Sequence, residues 1–420
     1  MRKSFVVCFL CIFGYFTQAQ IPQTRCSTME HLVLQKASDP ALEGRMDAEK
    51  MKFQKWIEEN EMSAKTNTTI TIPVVVHVIY KTTSQNISDT QVHSQIDILN
   101  KDYGRTNTDT THTPAPFKSQ AVNTGIQFCL ASRDVNGDWT NGIIRKQTSV
   151  TQFGVDDAMK FSSSEGDDAW DPEKYFNIWV CNLDPSLVGY AEFPYENSSP
   201  SSSYGVVINY LGFGKGGTAK PPYNLGRTAT HEIGHCFNLE HIWGDDGGDC
   251  SATDYVDDTP DQSDYSIGCN TFPYVDACTS GNGIMFMNYM DYSDDVCMNM
   301  FTEGQANRMI AAINMYYPSL ITSDGCQLPT TIKEKLSEQQ IGTYPNPVSG
   351  ILTMNINTIS PADLQINIYN TVGEIVASSK AVSFTGGSIT MDLSDRPNGL
   401  YFVRVMQESG SVTKKIILLK

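Results

Sequence analysis

Apolar positions follow three different patterns along the chain. Residues 27 to 62 read as helical and charged, and a polar, turn-like junction follows over 63 to 69. Ile70 to Tyr80 (ITIPVVVHVIY) is then dense in β-branched residues and predicts a strand, while Ser88 to Tyr103 spaces Val92, Ile96, Ile98 and Leu99 as a helix does. A strand followed by a helix opens an α/β unit. Further strands are predicted over 125–131, 175–181 and 204–209, before a helix that begins near Thr228 or Thr230. Beyond that helix the composition turns to Gly, Asp and Cys, the composition of loops. Residues 327–341 form a polar linker, and from Gly342 short alternating strands are split by turns at Gly350, Gly373, Gly386-Gly387 and Pro397-Asn398-Gly399. That stretch predicts a separate all-β module, a small sandwich. No internal repeat or low-complexity tract interrupts these patterns.

The N-terminus changes the compartment. Arg2 and Lys3 precede an apolar run from Phe5 to Phe16, and Thr17-Gln18-Ala19 supplies small residues for cleavage, so 1–19 is expected to be a secretory signal peptide. The run is shorter than the roughly 20 residues a bilayer helix needs, and no later segment qualifies, so no transmembrane anchor is expected. The remaining chain is long enough for two to three domains: a pro-segment over 20–65, a catalytic domain over 66–326, a linker and a β-module over 342–420. With 47 acidic and 30 basic residues the formal charge is −17, which argues against a nucleic-acid partner or a polybasic membrane surface. Of 11 cysteines, Cys8 and Cys11 would leave with the signal peptide. Most of the rest should pair in an oxidising compartment, with one left over.

The chemistry is concentrated in Thr230-His231-Glu232-Ile233-Gly234-His235-Cys236-Phe237-Asn238-Leu239-Glu240-His241. Four residues apart on a helix, His231 and His235 share a face and can share one Zn²⁺. Glu232, one position on, reaches toward the same open side and can act on a water without ligating the metal. His241 can join only if the helix ends first. Asn238, the residue that most readily replaces Gly at positive φ, stands where the break must fall. Cys236 is turned about 100° away from the metal face, as one step along a helix requires, and is expected to be packed or disulfide-bonded.

From Cys26 to Cys326 the chain resembles the pappalysin family of metzincin zinc metalloproteases, on this histidine motif and on Asn288-Tyr289-Met290-Asp291-Tyr292. The resemblance implies an α/β (α+β) catalytic domain with an active-site helix and a Met-turn. Met290 would lie beneath the metal as an apolar base, and Tyr292 would help stabilise the oxyanion. It also implies the disulfides Cys250–Cys278 and Cys269–Cys297, where spacing alone allows three connectivities. Seven aspartates crowd residues 245–261 of the same loop. There the resemblance implies a Ca²⁺ site formed by Asp254, the carbonyl of Val256 and Thr259. Cys26, in Arg25-Cys26-Ser27, would occupy the zinc's open position in a latent precursor; the alternative is a disulfide with Cys129, Cys181, Cys236 or Cys326. Family members that cleave beside Arg use an acidic pocket near the Met-turn, and Asp294 and Asp295 lie there.

The last 79 residues resemble a type IX secretion sorting domain on Tyr344-Pro345-Asn346-Pro347, Ile368 to Gly373, Asn398 to Val405 and a basic, apolar ending. The expected function is a secreted endopeptidase acting on proteins or peptides, with the type IX secretion machinery as partner. Two alternatives are a surface adhesin in which metals only brace loops, and a zinc hydrolase of non-peptide bonds. A purely structural zinc needs no base such as Glu232 and normally has a fourth protein ligand.

Overall fold

The computed structural model describes residues 25–60, 69–194, 203–245, 247–329, 337–357, 362–407 and 410–420. The expected signal peptide, the first residues of the expected pro-segment and the centre of the expected linker lie outside the described residues. The chain forms two compact units, 1–329 and 330–420.

The N-terminal stretch read as helical and charged forms two helices, α1 (Thr28–Ser38) and α2 (Leu42–Asn60). Pro40 separates them, because the ring of a proline disfavours helical geometry in the residue before it. The sheet that follows is built on β1 (Ile70–Tyr80), in which eight consecutive residues, Ile72–Ile79, are buried. Next come α3 (Asp89–Tyr103), β2 (Ile126–Leu130), β3 (Ile143–Gln147), β4 (Phe176–Cys181), β5 (Gly189–Ala191), β6 (Gly205–Asn209), α4 (Arg227–Cys236), α5 (Glu303–Tyr316) and α6 (Pro318–Ile321). The first half of β1 pairs with β2 and the second half with β3, and on its other edge lie β4, β6 and β5 in that order. All pairings are parallel except that of β5, which runs antiparallel at the rim. Helix α3 starts at Ser88, whose hydroxyl accepts from the Gln91 amide, and buries Val92, Ile96 and Leu99 as their spacing predicts. Strands β3 and β5 and helix α5 escape the hydrophobic pattern. β5 is only three residues long, and β3 (IIRKQ) is too polar to stand out. Helix α5 opens with a capping box between Thr302 and Gln305.

Three disulfides form: Cys129–Cys326, Cys250–Cys278 and Cys269–Cys297. The first joins β2 to the end of the unit, and the other two clamp the loop between α4 and the Asn288–Tyr292 turn. Among the described residues three thiols stay free, Cys26, Cys181 and Cys236, where one was expected. Cys181 on β4 and Cys236 on α4 are fully buried among apolar side chains and act as small hydrophobes.

The second unit contains β7 (Ile341–Tyr344), β8 (Ile351–Ile356), β9 (Ala362–Tyr369), β10 (Ile375–Phe384), β11 (Gly387–Asp392), β12 (Gly399–Gln407) and β13 (Gly410–Leu418). A four-stranded sheet, β10-β9-β12-β13, faces a three-stranded one, β11-β8-β7, over a shared core that includes Leu352, Met354, Ile366 and Val403. It is the small β-sandwich that the alternating pattern predicts.

Candidate active site

Helix α4 is buried along its whole length, which gives its polar residues no water and makes their partners decisive. It begins after Gly226 (φ 75°) and ends where Asn238 takes φ 69°, the left-handed turn that carries the chain back to His241. Gly234 is required by close approach: a Cβ there would meet Met290 Sδ at 2.5 Å. Met290 therefore packs directly under the helix that bears His231 and His235.

The three imidazoles converge, with His235 Nε2 3.1 Å from both His231 Nε2 and His241 Nε2. Each Nδ1 faces an acceptor: His231 the Tyr289 carbonyl at 2.7 Å, His235 the Leu239 carbonyl at 2.7 Å and His241 the Asp245 carboxylate at 2.8 Å. The Nδ1 atoms therefore carry the protons, and three Nε2 lone pairs point at one another, an arrangement that fits a bound cation. Burial drives His231 well below its ordinary pKa and His235 down to about 3, so both imidazoles are neutral. Burial alone would raise Asp245, but the His241 beside it holds that carboxyl below its usual range.

Glu232 faces the same space, and burial pushes its carboxyl up to about 7. Its Oε2 accepts from Thr28 Oγ1 at 2.9 Å and from Cys26 Sγ at 3.3 Å, while its Oε1 is buried without a partner. Cys26 Sγ lies 3.5 Å from His235 Nε2, and the thiol and the three imidazoles offer four ligand atoms within 4.8 Å of one another. The N-terminal segment thus runs through the centre of the site. Ser27 N–H donates to Gly189 O and Ala191 N–H to Thr28 Oγ1, each at 2.9 Å, which fixes the segment to the rim strand β5. Arg25 Nη2 meets Asp295 Oδ1 at 2.9 Å with both side chains fully buried. Asp295 Oδ2 is held in turn by the Leu225 and Arg227 amides. Tyr292 lies against the His231 and His241 rings and donates to the Cys26 carbonyl at 3.2 Å. A cavity of about 470 Å³ opens beside this cluster, between Trp243, Asp245, Tyr265 and Tyr292.

At the implied Ca²⁺ position, Thr259 Oγ1 lies 2.7 Å from Val256 O and 2.8 Å from Asp254 Oδ2. One hydroxyl proton cannot serve both acceptors, and burial pushes Asp254 up to about 7. Asp294 makes no ion pair with Arg25, although the nearby guanidinium acts on its carboxyl.

Several contributors carry no local sequence signal. Asp102 on α3 accepts from Thr230 Oγ1 and from Tyr289 Oη, both at 2.9 Å, and so ties the metal helix to the turn whose carbonyl orients His231. Asp245 stood in the sequence as one aspartate among seven. Thr28, which holds Glu232, is an ordinary helix-start residue.

Fold and site together define a metallopeptidase with a precursor segment lying in its cleft. Residues 161–314 match the peptidase M43 family, described as pregnancy-associated plasma protein-A, and residues 342–419 match the secretion system C-terminal sorting domain. An extracellular metalloprotease of Arthroderma otae is 34% identical over 248 residues, 58% of this chain and 77% of that protein. Tannerella forsythia promirolysin, solved as a point mutant, is 44% identical with a TM-score of 0.66, covering 73% of this chain and 99% of that one. Mature mirolysin from the same organism, in complex with a cleaved peptide, is 49% identical with a TM-score of 0.61, covering 63% and 100%. The chain belongs to the pappalysin family of metalloproteases. It is secreted or displayed at the cell surface and carries a type IX sorting domain. No helix among the described residues is long and apolar enough to cross a membrane.

Proposed function

We propose that the chain is the latent precursor of a zinc endopeptidase, with His231, His235 and His241 holding the metal and Glu232 as general base. The observation that carries this reading is the convergence of three Nε2 lone pairs beside a buried carboxylate that has one unpartnered oxygen. Zinc, when bound, acidifies a water and polarises the scissile carbonyl. Glu232 would take the proton that water releases and pass it to the departing amine, its Oε1 being buried without another partner. Tyr292 donates its hydroxyl hydrogen to the oxyanion, and Met290 braces the helix from beneath.

Residues 20–65 act as the pro-segment and 66–326 as the catalytic domain, with 1–19 a signal peptide and 327–341 a linker to the sorting domain at 342–420. Latency comes from Cys26 in the metal's open position, supported by its distance to His235. The Arg25–Asp295 ion pair supports a preference for Arg beside the scissile bond, with the precursor's own arginine holding the pocket until activation. Asp254, the Val256 carbonyl and Thr259 form a structural Ca²⁺ site. The type IX secretion machinery is the partner of the C-terminal domain.

The test is to incubate the activated full chain with a peptide library, with and without a chelator, and to sequence the products. Cleavage that stops with chelator and returns with zinc supports the assignment. Protein that binds zinc at the triad yet cuts no peptide contradicts it and favours a metal that only braces the fold.

A further inference from the structure

Beyond Cys26, which reaches His235, the N-terminal segment fills a second pocket. Its His31 side chain is buried, with Nδ1 2.7 Å from the Val155 carbonyl and its ring 4.8 Å from the Tyr190 ring. His31 Nε2 lies 3.5 Å from Asp157 Oδ2. Beneath the imidazole, Lys160 Nζ is 2.8 Å from Asp157 Oδ1 and 2.5 Å from Glu192 Oε1, and Tyr190 Oη donates to Asp157 at 2.9 Å. Two carboxylates share one ammonium, so this largely buried pocket carries one unit of excess negative charge. A buried charge of that kind calls for a cation.

Gln35 also reaches the imidazole. Its Nε2 sits 2.9 Å from His31 Nε2 while its Oε1 is buried without a partner. His31 thus makes its contacts through both ring nitrogens, Nδ1 to the Val155 carbonyl and Nε2 toward Gln35 and Asp157.

The pocket lies on the path of any chain bound to β5. Gly189 O and Ala191 N, the groups that hold Ser27 and Thr28, flank Tyr190, whose ring lines the pocket. His31 is five residues beyond Cys26, most of them in the first turn of α1, a span that an extended peptide covers in about two to four residues.

We propose that, once the N-terminal segment leaves, this pocket is a second specificity subsite, taking a Lys, Arg or His side chain of the substrate. The proposal rests on the peptidase reading and adds to it a substrate class: chains with basic residues on both sides of the cut, spaced a few positions apart. Asp157 Oδ2, the Val155 carbonyl and the Tyr190 ring would hold that cation, with Lys160 and Glu192 fixing Asp157 from behind.

The test uses the full chain freed of its pro-segment by limited proteolysis. Peptides keep Arg for the Asp295 pocket and carry Lys, Ala or Glu at each position two to four residues away across the scissile bond. Lys should exceed Ala about tenfold in kcat/KM at one of these positions, with Glu poorer still. Asp157→Asn should flatten that preference while the Arg preference at the Asp295 pocket persists. Glu192→Gln, which also removes the excess charge, serves as the second variant should Asp157→Asn not fold. Cleavage that is indifferent to charge at all three positions, or a Lys preference that survives in a folded variant, overturns the subsite and leaves the peptidase reading standing. No cleavage of any peptide would remove both.

Discussion

Three imidazoles whose Nδ1 atoms face fixed acceptors turn their Nε2 atoms toward one another, and the rest of the site is arranged around that geometry. Tyr289, Leu239 and Asp245 fix the rings, so Nε2 is the only nitrogen each can offer. At this scale Asp295 is the second decisive group, because one carboxylate oxygen is held by two backbone amides and the other faces Arg25. Asp295→Asn should lower kcat/KM for Arg-containing peptides by about 10² while sparing peptides without Arg, since a buried guanidinium loses its counter-charge. Cleavage-site profiling of both proteins checks this. Asp254 gives a pH signature. Its folded pKa of about 7 lies above the unfolded value, so its stabilising contribution is full in acid and is lost as pH rises through about 7. A cation bound there replaces the proton. Thermal melts should therefore show a larger gain from Ca²⁺ at about pH 8 than at about pH 5.5; equal gains would count against the site.

Among the elements, α4 and the turn after it do most to shape the centre, and they were also the most legible. The histidine spacing predicts the shared face, and the need to bring His241 back predicts a break, which falls at Asn238. Both polar side-chain atoms of Asn238 are buried without partners, so Asn238→Gly should keep the turn and be at least as stable as the parent. Asn238→Val should lose about 1–2 kcal/mol and bind zinc more weakly, because a β-branched residue resists this backbone conformation. Denaturant melts and zinc titration of the two variants test the pair. The sequence was less informative where function depends on a few residues or on distant contacts. β5 is three residues long yet provides the rim to which the N-terminal segment binds. Asp102 reaches the metal helix and the Met-turn only through tertiary packing, and no periodicity in α3 singles it out.

For the whole molecule, the N-terminal segment lies along the site, where Arg25 pairs with Asp295, Cys26 reaches His235, Thr28 and Cys26 bond Glu232, and His31 packs against Val155. Sequence alone marked Cys26 as a latency residue through resemblance, but the positions of Arg25, Thr28 and His31 emerge only when the segment is seen in the cleft. Cys26→Ala should process earlier than the parent precursor under identical expression, with Arg25 and Thr28 retaining part of the latency. A time course by mass spectrometry checks this, and a variant as latent as the parent would make Cys26 dispensable. The central claim, hydrolysis driven by Glu232 beside a three-histidine metal, is tested most directly by Glu232→Ala in the activated full chain, assayed for zinc content and peptide cleavage together. The account predicts one zinc per chain, an unchanged melting profile and a loss of cleavage of at least about 10³. Zinc bound as in the parent with cleavage near the parental rate would contradict it.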